Sequence, residues 1–71
     1  MSESWMFVPL DVIRNVVIDV LERKGFSPNY DIPGMEIASV DGHIATVYIW
    51  NKIHSSLKIV EIDLNKRCVV P

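Results

Sequence analysis

The apolar residues of this chain change period once, from helical spacing before Gly25 to strand-like alternation after Gly34. A single switch of that kind leaves room for one helix followed by a run of strands. From Pro9 to Lys24, residues Leu10, Ile13, Val16, Val17, Val20 and Leu21 recur every three or four positions, which gathers them on about half of a helix surface. Asp11, Asn15, Asp19 and Glu22 fall on the other side. Pro9 suits a helix start, and Asp19 with Arg23 makes a favourable pair one turn apart. The stop is sharper still. Gly25 takes the left-handed position just past the helix, Phe26 folds back toward Leu21, and Pro28 prevents resumption. Six β-branched residues between Val12 and Val20 give this helix weak intrinsic propensity, so packing has to hold it.

After the turn signal Pro33-Gly34, four strands are expected: Met35 to Val40, Ile44 to Trp50, Leu57 to Asp63, and a short Cys68 to Val70. Asp41-Gly42 reads as a two-residue hairpin turn, which sets Val40 opposite His43, Ala38 opposite Ala45 and Glu36 opposite Val47. Asn51 to Ser56 reads as a looser connection. Leu64-Asn65-Lys66-Arg67 reads as a four-residue turn in which Asp63 accepts turn amides and Arg67 occupies a place that normally prefers Gly or Asn. Trp5 to Val8 is either an extra N-terminal strand or a packing segment. The expected fold is α+β: one helix on a four-stranded antiparallel meander, residues 1–71 forming a single domain. The expected core is Leu10, Ile13, Val16, Val17, Val20, Leu21, Ala38, Val40, Ala45, Val47, Ile49, Val60 and Ile62.

That register divides the sheet into two unequal faces. The small residues Ala38 and Ala45 share one face with Val40, Val47 and Ile49, and this is the face assigned to the helix. The other face then carries Met35, Ile37, Ile44, Thr46, Tyr48 and Trp50, far from the polar alternation of a solvated antiparallel sheet. One helix covers only one face. The second is therefore expected to meet another copy of the chain, with Met35, Ile37, Ile44, Tyr48 and Trp50 as the interface of a homodimer, or to be covered by Trp5, Met6 and Phe7. A larger protein partner fits the same surface.

Composition bears on the remaining function classes. Seven basic against nine acidic side chains, a net charge of −2, argue against a strongly basic polyanion binder. The balance is uneven, since residues 1–41 hold three cations and seven acids, and residues 42–71 hold four cations and two acids. Tyr48 and Trp50 with Lys52 and Lys58 accordingly make single-stranded nucleic acid the alternative ligand, through stacking and a basic rim. His43, His54 and Cys68 match no zinc spacing, so no metal or cofactor is expected. Cys68 has only Lys66 and Arg67 as basic sequence neighbours and reads as a small strand residue. Glu61 and Asp63 read as solvated acids on an outer strand face, and the three glycines fall at turns or caps. The expectation is a non-enzymatic protein. One cysteine, no signal-peptide core and no apolar run of spanning length make it a cytoplasmic one with no membrane association.

Overall fold

The computed structural model describes residues 4–71. A short 3-10 turn, Trp5–Phe7, precedes helix α1 (Leu10–Lys24). Strands β1 (Glu36–Asp41), β2 (Ile44–Asn51), β3 (Ser56–Asp63) and β4 (Cys68–Val69) follow, paired in that order as an antiparallel sheet. The fold is the expected helix on a meander.

Helix α1 ends as its sequence indicates. Gly25 has φ +89°, its N–H donates to Glu22 O, and Phe26 N–H donates back to Leu21 O. These bonds satisfy carbonyls that the last turn would otherwise leave open. The helix contributes Ile13, Val16, Val17, Val20 and Leu21 to the core, and the sheet contributes Ala45, Val47, Ile49, Val60 and Ile62. Each buried aliphatic side chain stabilises the fold by about 1.5–3 kcal/mol, which outweighs the few tenths that a β-branched residue costs a helix. Packing decides this helix. Leu64, Ile32 and Met35 close the ends of the same core.

Three expectations are corrected. The β1–β2 turn places Gly42 and His43 at its tip, with Asp41 opposite Ile44 and Val40 opposite Ala45 rather than His43. Gly42 alone among these residues has positive φ (+63°), the pattern of a hairpin with glycine at its first central position. The register then slips at Ala38, an exposed bulge between Ile37 and Ser39, so Ala38 does not pair with Ala45 and Glu36 meets Tyr48 rather than Val47. Because strand side chains alternate, one extra residue reverses every side chain before it. Ile37 therefore lies opposite Val47 on the helix side and is half-buried, and Met35 is in the core.

The second correction concerns the β2–β3 connection, which is a tight turn. Asn51 Oδ1 accepts from Ile53 N–H (2.9 Å) and His54 N–H (3.0 Å), and Ser55 has φ +51°. The β3–β4 turn repeats this plan as expected: Asp63 Oδ1 accepts from Asn65 N–H (3.0 Å) and Lys66 N–H (2.9 Å), and Arg67 has φ +54°.

Third, Leu10 is exposed, three residues ahead of the first buried position, Ile13. Of the two alternatives for the N-terminal segment, the structure has the packing one: Trp5–Phe7 is a 3-10 turn and forms no strand. Trp5 N–H donates to Gly42 O and its Nε1–H donates to Asn65 Oδ1 (2.7 Å), joining the tips of two hairpins at the end of the core. The segment between helix and sheet is fastened separately. Arg14 donates to the carbonyls of Met35 and Pro33, and Asp31 N–H donates to Trp50 O, which lays residues 29–31 beside the end of β2.

Candidate protein-interaction surface

The sheet surface facing away from α1 is built on the longest pairing in the molecule, the eight-residue match of β2 with β3. Its outward rungs are Ile44–Asp63, Thr46–Glu61, Tyr48–Ile59 and Trp50–Leu57. The last two form one apolar block: Tyr48 is 37% exposed, Trp50 45%, Leu57 57% and Ile59 61%, while Val47, Ile49 and Val60 on the other side of the same strands are at most 4% exposed. Directly opposed side chains on one face lie about 5 Å apart at Cβ, so these four are contiguous across the β2–β3 pairing. Ile53, also exposed, follows in the turn beyond.

Of the residues expected at this surface, the structure places Tyr48 and Trp50 in the exposed block and Ile44, half-buried, near the opposite end. Met35 and Ile37 face the helix side. Leu57 and Ile59 were missed. Their signal was present, since they alternate with Lys58 and Val60 and so share a face with Glu61. The segment Trp5–Phe7 does not cover the block. Its anchoring partners are Gly42 and Asn65, and Trp5 packs against the core cluster.

Charge is graded along the face. Toward the Gly42 end stand the exposed carboxylates of Asp41 and Glu61, and Glu36 sits beside Tyr48 on β1. Past Trp50, at the other end, the exposed turn holds Lys52 and His54. Lys58 is opposite Ile49, so it projects from the helix side of the strand and does not border Tyr48 and Trp50. The acids, rather than lysines, flank the aromatic pair on the sheet.

Elsewhere, no group of three or more His, Cys, Asp or Glu side chains is placed to hold a metal ion among the described residues. His43 Nε2 lies 3.7 Å from Asp63 Oδ2, and Asp63 is engaged in its turn. Cys68 is exposed rather than packed, and a shallow groove of about 190 Å³ beside it is lined by Arg23, Lys24 and Arg67. A second set of exposed apolar side chains, Met6, Phe7 and Leu10, lies at the N-terminal end of α1, where Leu10 also borders a groove of about 380 Å³ between helix and β1. No helix among the described residues is long and apolar enough to cross a membrane. No family model matches the chain, and no significant match was found among curated proteins or solved structures.

Proposed function

We propose that this chain is a non-enzymatic protein-interaction module that forms a homodimer through the outer face of β2 and β3. The observation that supports this reading is the block of Tyr48, Trp50, Leu57 and Ile59, four large apolar side chains exposed together on the paired strands β2 and β3. A contiguous apolar patch of that kind is unusual on a soluble monomer and is normally covered in the working assembly. The N-terminal apolar set is the weaker candidate, because Met6 and Phe7 sit on a single 3-10 turn rather than on a sheet. The dimer can in turn recruit a larger protein partner. Cytoplasmic residence fits a chain with one exposed, unpaired cysteine.

Trp50→Glu is the direct test, since it sets two carboxylates against each other across the two-fold axis in a desolvated setting. Light scattering should show the dimer constant weakened at least ~100-fold, as for a central interface residue. Phe7→Ser should leave it unchanged. Circular dichroism separates a folded monomer from an unfolded chain, and Ile59→Lys supplies a second variant should Trp50→Glu unfold. A dimer that survives both sheet substitutions and is lost in Phe7→Ser would overturn the reading. Saturable binding of a short single-stranded oligonucleotide, weakening with added salt, would instead support the nucleic-acid alternative through Tyr48, Trp50 and Lys52, Lys58 lying on the other side of the strand.

A further inference from the structure

We propose that the groove between the C-terminal end of α1 and the β3–β4 turn binds a phosphate group, of the kind carried by a small phosphate monoester. The site is separate from the outer sheet face and does not depend on the dimer reading. The groove, of about 190 Å³, is lined by Val20, Arg23 and Lys24 of α1 and by Arg67, Cys68 and Val69. Three of these six residues are cations, drawn from two parts of the fold, in a chain whose net charge is −2. Helix geometry brings two of them together. At about 100° per residue, Arg23 and Lys24 flank the buried Val20 within about 60° on either side, whereas Glu22 points about 160° away from it. Asp19 answers one cation, its Oδ2 accepting from Arg23 Nη2 at 2.6 Å, and the remaining donors of that guanidinium stay free. Lys24 and Arg67 make no ion pair among the described residues. The local excess is therefore two positive charges (3 − 1 = +2). Glu61 and Asp63 do not reduce it, since both belong to outward rungs of the sheet.

Arg67 adds a second observation. It holds left-handed backbone, φ +54°, at a position where glycine is less strained. A strained residue that its surroundings enforce is often kept for its side chain. Here the Asp63 turn enforces it, and so fixes the point from which the guanidinium reaches the groove across from α1. A phosphate monoester carries about −1.5 to −2 charges at neutral pH, which matches the excess, and guanidinium forks meet its oxygens in pairs. A single carboxylate would leave half of that excess unanswered. Val20, buried, and Val69, half-buried, supply an apolar wall that suits the carbon part of an ester. The helix end opposes an anion only weakly, because Gly25 and Phe26 N–H groups already close the carbonyls of Leu21 and Glu22.

The test is a titration of the nitrogen-labelled full chain with phenyl phosphate at about 0.15 M salt, followed by amide NMR shifts. Saturable shifts centred on residues 20–24 and 67–69 are expected, with inorganic phosphate binding the same place more weakly. Arg67→Gly should weaken phenyl phosphate about tenfold, and the left-handed backbone accepts glycine, so the variant stays folded. Lys24→Gln should weaken it about fivefold. Lys66→Gln makes the same change of charge in the same turn outside the groove lining, and should leave affinity within about twofold. Equal losses in Lys66→Gln and Arg67→Gly would overturn the site, because only net charge would then matter. No shift with phenyl phosphate up to about 10 mM would also overturn it. So would binding of a single-stranded oligonucleotide at these residues while both small phosphates leave them unmoved, which would assign the basic edge to a polyanion backbone. None of these results changes the sedimenting mass, so they are distinct from failure of the dimer reading.

Discussion

Ser55 and Arg67 hold left-handed backbone, φ +51° and +54°, each as the fourth residue of a turn whose preceding strand ends in Asn51 or Asp63. A side chain in that region is strained by roughly 1 kcal/mol relative to glycine, and part of the relief is offset by the greater freedom of glycine in the unfolded chain. Arg67→Gly should therefore raise stability by about 0.5 kcal/mol in urea denaturation. The acceptors at the start of these turns act in the opposite sense. Asp63→Ala leaves two turn amides without a side-chain partner and should cost about 1–2 kcal/mol, whereas Asp63→Asn keeps the acceptor oxygen and should cost less than half as much. Equal losses in the two Asp63 variants would show that its charge, rather than its turn geometry, matters.

At the scale of elements, α1 depends on burial against the sheet rather than on propensity. Val17, wholly buried at its centre, is the strictest position. Val17→Asp should abolish the cooperative thermal transition, because an unpaired buried carboxylate costs several kcal/mol against a total stability of about 5 kcal/mol. Trp5→Ala should lower stability by about 2 kcal/mol, since it removes the indole that donates to Asn65 and packs against the core, while the backbone bond to Gly42 O remains. The helix was legible in the sequence because its stop, Gly25 followed by Phe26 and Pro28, and its apolar period agree. So was the Asp63 turn, whose chemistry is local. The β1 register was not, because the bulge at Ala38 has no glycine or proline to mark it and is decided by the need to turn Ile37 and Met35 toward the core. Half of the outer block was read from β2, and the other half stood in the alternation of β3. Trp5 bridging two hairpin tips and Arg14 fastening residues 33–35 are contacts between distant parts of the chain, which periodicity does not reveal.

For the whole molecule, a chain of 71 residues and 8.1 kDa has little interior to spare. Chains of about 60 residues bury only about 60% of the surface their unfolded forms expose, and this one has neither a disulfide nor a metal cluster among its described residues to add to its core. Leaving Tyr48, Trp50, Leu57 and Ile59 in water while so few side chains are fully buried is uneconomical for a monomer, and a second copy resolves it by burying the same face twice. Sedimentation equilibrium of the unmodified protein between about 1 and 100 µM is the most direct measurement, since a modest interface has micromolar affinity and its equilibrium falls in that window. The expected result is a mass rising with concentration to twice 8.1 kDa and no further. A mass that remains at 8.1 kDa throughout would contradict the account.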